Sequence, residues 1–134
     1  KAEEGREAPE LSIELFKLLD LDIAAHRSQP LCAAIIEETD TIIAMGTDHV
    51  EFVKENYPEM ADKTHTLLSF VDSDEDVADP HNGTLDDFEK TFLTMMPALS
   101  AIADRLLRCK EQDALKALQE MEAFETEEVE TEED

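Results

Sequence analysis

TIIAMGTDHVEFVKENYP, residues 41–58, is the stretch whose reading decides the fold class. Its first part, TIIAMG, Thr41 to Gly46, is short, nearly continuous in apolar character and closed by glycine, which predicts a strand buried on both faces as in a parallel sheet. Thr47 is placed to cap a helix carrying Val50, Val53 and Tyr57, and Pro58 ends it. Strand, tight turn and helix form half of a parallel crossover unit. THTLLSFV, Thr64 to Val71, predicts a second strand, and the acidic loop DSDEDVADPHNG follows it.

Helical patterns flank these strands. PELSIELFKLL, Pro9 to Leu19, sets Leu11, Leu15, Leu18 and Leu19 on one side, with Pro9 suited to a first helical turn. A second helix is predicted over Leu31 to Glu38 from Cys32, Ile35 and Ile36. The last long helix begins at Thr84, where Asp87 stands three residues after the cap and completes a capping box. Phe88, Phe92, Met95, Leu99, Ile102 and Leu106 then recur every three or four residues as a core-facing stripe. Pro97 inside this pattern is expected to kink the helix, at a local cost of about 3 kcal/mol. The predicted fold class is α/β: a partial, three-layer parallel sheet flanked by helices, with a helical extension and an acidic tail. Two strands leave an open edge and too little sheet for so many helices, as though strands were missing.

The bulk properties bound the function. The chain has 134 residues, 42% of them hydrophobic, enough for one ordinary domain with a tail. The reading divides it into an incomplete α/β domain at 1–109, an amphipathic helical extension at 110–121 and an acidic disordered tail at 122–134. Eight of the 35 acidic residues, and none of the 11 basic ones, lie between Met121 and Asp134. The net charge of -24 argues against nucleic acid or an anionic membrane as partner, since both need basic patches. A basic protein partner for the tail fits the same charge. Cys32 and Cys109 lack any Cys-x-x-Cys or Cys/His pairing, which favours a reducing, cytoplasmic setting. KAEEGREAPE at the start lacks the apolar core of a signal peptide.

Within the acidic loop, Asp72, Asp74 and Asp76 alternate as in a helix-loop-helix calcium site, but Val77 stands where glycine is required and Gly83 where a bidentate glutamate is required. The default is a solvated loop. His26, His49, His65 and His81 have no metal-ligand spacing. Met45-Gly46-Thr47-Asp48-His49 has too little glycine for a phosphate loop and reads as a plain strand-to-helix turn. Asp79 differs in kind. It precedes Pro80 and is biased toward extended backbone, while Asn82-Gly83 turns the chain back into a helix. An ordinary Asp-Pro turn explains this shape without function. Yet a carboxyl group beyond the carboxyl end of a strand is also where a general acid belongs in an open α/β sheet.

Four segments in order, IAAHRSQPL at 23–31, TDTIIAMGTDH at 39–49, YPEMADKTHTL at 57–67 and DVADPHNGTLDDF at 76–88, resemble the low-molecular-weight protein tyrosine phosphatase family, including its bacterial protein arginine phosphatase branch. The resemblance spans residues 8 to 107, and Asp-Pro-x-x-Gly is its most specific element. Lys63 to Leu67, a Lys-x-x-Thr-Leu pattern, leans toward the arginine branch. The resemblance implies a four-stranded parallel sheet, phosphoryl transfer to a cysteine followed by hydrolysis, a phosphorylated protein as substrate, and no metal or cofactor. It implies that Asp79 is the general acid, and that His81 lies where many members carry an aromatic wall of the substrate pocket. An arsenate reductase on the same fold would need further reactive cysteines, of which Cys109 is the only downstream candidate.

The family signature, Cys, five residues and Arg in a loop whose N–H groups cradle phosphate, is not among these residues. Glu38 lies six positions after Cys32, and Leu115 six after Cys109. None of Arg6, Arg27, Arg105 and Arg108 follows a cysteine at that distance. The expectation is a family member without an N-terminal segment of roughly 40 residues, one crossover unit with its strands, and so inactive alone. The alternative is a degenerate, non-catalytic interaction module. In that family the first strand lies between the second and third, so its loss bares one edge of TIIAMG. The purified chain is therefore expected to be aggregation-prone and to bind a hydrophobic dye; reversible, cooperative unfolding of a dye-silent monomer would refute this.

Overall fold

The computed structural model describes the backbone of residues 2–131 and the side chains of residues 2–120. Helix α1 spans Glu10–Lys17, α2 Ala33–Glu37, strand β1 Ile42–Ala44, α3 Thr47–Asn56, strand β2 Thr64–Thr66 and α4 Leu85–Thr131. Turns of 3-10 helix at Pro58–Lys63 and Leu67–Val71 precede and follow β2. Residues 1–98 and 99–134 form two separate units, the second carrying only the α4 helix beyond Ala98 among the described residues.

In the first unit, β1 and β2 pair in parallel, with Ile42 opposite Thr64, Ile43 opposite His65 and Ala44 opposite Thr66. The two strands make a small sheet in which each keeps one edge unpaired among the described residues. α3 is the crossover, and its Val53 meets Ile36 of α2 and Met60 of the 3-10 turn in a buried cluster. Leu31, Ile42 and Tyr57 close over that cluster. The Tyr57 hydroxyl donates to the Leu31 carbonyl at 3.0 Å, which lets an aromatic ring enter the core with its polar tip satisfied. Thr64 is the one buried polar residue of the described core, and its hydroxyl donates to Met60 O at 2.7 Å.

Several expectations require correction. The strand expected over Thr64–Val71 stops at Thr66, because Leu67 and Leu68 are both buried. Successive residues of a strand face opposite sides, so a tight helical turn is what brings two adjacent leucines to one core. Asp72, at φ 58°, ends that turn in the left-handed region. The helix expected over Pro9–Leu19 ends at Lys17, leaving Leu18 78% exposed, and Phe16 on it meets Phe92 edge to face at 5.5 Å between ring centroids. The helix expected over Leu31–Glu38 shortens to Ala33–Glu37.

α4 runs unbroken through Pro97 and through the segment read as tail, as far as Thr131. Residues 132–134 lie outside the described residues. The stripe on α4 is half-buried at Phe88, Phe92 and Met95, whereas Leu99 and Leu106 are exposed.

Leu67 is 1% exposed, the largest fully buried side chain of the described residues. Leu67→Ala should cost roughly 2–5 kcal/mol in denaturant unfolding, through lost transfer energy and a cavity. Leu107→Ala, at an exposed position, should stay within about 0.5 kcal/mol.

Candidate active site

The carboxyl end of the β1–β2 sheet leads into two connections, the turn Met45–Gly46 into α3 and, beyond the 3-10 turn, the acidic loop 72–83. Asp79 sits on that loop with an exposed side chain. Its Oδ1 accepts the His81 N–H at 3.0 Å, an aspartate turn that fixes the carboxylate against its own backbone. Gly83 N–H donates to Pro80 O at 2.7 Å, closing the next turn, and Asn82 takes φ 61° at its third position, where asparagine is tolerated. Gly83 is needed for closeness: a Cβ there would lie 2.7 Å from Pro80 O and 2.9 Å from Asp87 Cβ.

The helix that follows starts as its sequence indicates. Thr84 N–H and hydroxyl each donate to Asp87 Oδ2 at 2.8 Å, and Asp87 N–H returns to the Thr84 hydroxyl oxygen at 3.4 Å. The Thr84 backbone N–H, then its hydroxyl, hold the Asp87 carboxyl below its ordinary value, and Lys90 adds to this. Lys90 itself bonds Asp86 at 2.6 Å, which raises its ammonium above the usual range. An open groove runs along this corner, lined by Glu75, Asp76, Asp79, His81, Asp87 and Lys90. Asp79 and His81, singled out from sequence, thus share one groove.

The structure adds residues that sequence reasoning missed. Gly46, not Thr47, holds the cap position of α3 and has no side chain to offer. Asp76 takes that place from 29 residues away, accepting Thr47 N–H at 2.9 Å and the Thr47 hydroxyl at 3.0 Å. Thr91 donates from α4 to Ala78 O at 3.3 Å. The sequence signal available was Gly46 itself, a cap position left empty. Cys32 and Cys109 are free and exposed, and neither lines the groove.

With this geometry in hand, comparison with known proteins is decisive. Residues 1–114 match the profile of the low molecular weight phosphotyrosine protein phosphatases. The chain belongs to that family. It is 32% identical over 106 residues to a protein-arginine-phosphatase of Geobacillus stearothermophilus, covering 78% of this chain and 71% of the relative. A protein-arginine-phosphatase of Bacillus subtilis is 30% identical over 82 residues, covering 60% of this chain and 55% of that one. The solved arginine phosphatase of Geobacillus stearothermophilus superposes with a TM-score of 0.74 at 31% identity, over 79% of this chain and 69% of the other. The α/β fold of this low molecular weight phosphatase family, a small parallel sheet with helices, is therefore shared.

The lowered Asp87 carboxyl has a pH signature in this family member. Because its folded value is depressed, its contribution is complete above the unfolded aspartate value of about 3.9 and is lost as pH falls below that. The Tm difference between the parent and Asp87→Asn should be largest near pH 6 and shrink progressively as pH falls below about 3.9.

Proposed function

We propose that the chain carries the general-acid side of a protein phosphatase that passes its phosphoryl group through a cysteine. The observation that supports this reading is Asp79, exposed on a turn fixed by His81 N–H and beyond the carboxyl ends of two parallel strands. In the first step a cysteine thiolate attacks phosphorus while the bond to the leaving oxygen or nitrogen breaks. Asp79, in its acid form, gives that atom its proton. In the second step the Asp79 carboxylate takes a proton from water as it attacks the phosphocysteine, releasing phosphate and the thiolate. The nucleophile and its phosphate cradle come from a Cys-x5-Arg loop, a pattern not found in these 134 residues.

The substrate class is a phosphorylated protein, with phosphoarginine favoured over phosphotyrosine. The Lys63–Leu67 pattern and the names of the two curated relatives support that order. His81 lines the same groove as Asp79 and would stack against the substrate side chain. Thiolate chemistry of this kind belongs in a reducing, cytoplasmic setting. The second reading, a non-catalytic module, draws on Leu106, Leu107, Leu115 and Leu118, all exposed on α4. In that case the acidic end binds a basic protein.

The 134-residue chain alone should not turn over an aryl phosphate. Joined to a strand and loop carrying Cys-x5-Arg, it should gain activity, and Asp79→Asn should then lower kcat about 10²–10⁴-fold. Turnover by the unaided chain, abolished by Asp79→Asn, would refute the assignment of the nucleophile. Activity in the joined protein insensitive to Asp79→Asn would refute the assignment of the acid.

A further inference from the structure

We propose that Asp76 is the positioning residue of the proton donor, tying the Asp79 loop to the start of α3. The inference rests on the reading of Asp79 as general acid, and adds what holds it in place.

The physical basis is a pair of unmet needs satisfied together. The first N–H groups of α3 have no partner inside the helix, and Gly46 at the cap has no oxygen to give them. Asp76 supplies the carboxylate, using Oδ1 for Thr47 N–H and Oδ2 for the Thr47 hydroxyl. An anion is also favoured there by the helix dipole. One residue on, Val77 N–H donates to Met45 O at 2.8 Å, so side chain and backbone together grip both sides of Gly46. The glycine permits the approach. A Cβ at position 46 would lie 3.3 Å from Asp76 Oδ2 and 2.8 Å from Asp48 Oδ1.

The tether is placed to matter for Asp79. Ala78 O, the next carbonyl, accepts from Thr91 of α4, and Asp79 follows directly. Residues 76, 77 and 78 are each fixed to a different group before the chain reaches the donor. A carboxylic acid must meet the leaving atom within hydrogen-bond reach, and misplacement by about 1 Å costs on the order of 10²-fold in rate. Exposed carboxylates elsewhere in this loop, such as Asp74, show no comparable bond among the described residues.

The test uses hydrogen–deuterium exchange by mass spectrometry on the full 134-residue chain, which needs only dilute protein. Peptides covering 74–83 report the loop, including the Val77 and His81 amides. Peptides covering 53–60 report the core, including Tyr57 N–H on Val53 O. Asp76→Ala should speed exchange in 74–83 about tenfold or more, with 53–60 changed less than about twofold. Asp76→Asn, whose amide oxygen still accepts Thr47 N–H, should recover most of the protection. Gly46→Ser, which gives α3 its own cap and crowds Asp76, should loosen 74–83 while 47–56 stays protected. Unchanged exchange in 74–83, or an equal rise in both regions, would overturn the proposal.

A second arm reads position through chemistry. In the protein joined to a Cys-x5-Arg segment, Asp76→Ala should lower kcat with KM little changed, and the loss should shrink for aryl phosphates with good leaving groups, which need no proton. An equal loss for all leaving groups would overturn the positioning role. Insensitivity to Asp79→Asn, by contrast, would remove the acid and leave the exchange result standing, so the two failures are distinguishable.

Discussion

Parallel pairing of two three-residue strands is the constraint from which the rest of this structure descends. A parallel pair cannot be joined by a hairpin, so β1 and β2 need a crossover, and α3 with its following turn supplies it. Because the strands run the same way, both of their carboxyl ends lie at one edge of the sheet. The turn into α3 and the loop carrying Asp79 therefore start from the same side of the molecule, where α/β folds place their ligands. Burial reinforces the pairing: Ile42 covers the Ile36, Val53 and Met60 cluster, and Thr64 is tied to Met60.

The two helix N-termini near the site are satisfied in opposite ways. α4 is capped from within, by Thr84 and Asp87 three residues apart. α3 is capped from without, by Asp76. A local cap stabilises its helix wherever that helix goes. A distant one also binds two parts of the chain together, and its loss would be felt at both.

This contrast explains what could be read from sequence. The strand, turn and helix of 41–57 are local patterns, and they appear as β1 and α3, but the strand expected to be buried on both faces is three residues long and leaves Ile43 exposed on one of them. The Thr84 box and the Asp-Pro turn are local too, and their partners stand within four residues. The Asp76 cap was not legible, because nothing within its own neighbourhood marks which distant N–H it serves. THTLLSFV was misread as one strand since an apolar run of that length does not distinguish alternation from a tight turn; only the burial of both Leu67 and Leu68 does. The family, in contrast, was legible from the order of four short segments.

The Asp-Pro segment is strung between two posts, the Asp76 bond on one side and the Thr84–Asp87 box on the other. Between them the chain has little slack, since Val77, Ala78 and Asp79 are each engaged in a hydrogen bond and Pro80 and Gly83 are bonded to one another. A span fixed at both ends has little loop entropy left to lose, and an inserted residue would have nowhere to go except outward. Length therefore matters here alongside the two carboxylates: a side chain can be exchanged at Ala78 while the posts stay put, whereas one residue gained or lost would move the Asp79 carboxylate by a full step along the chain.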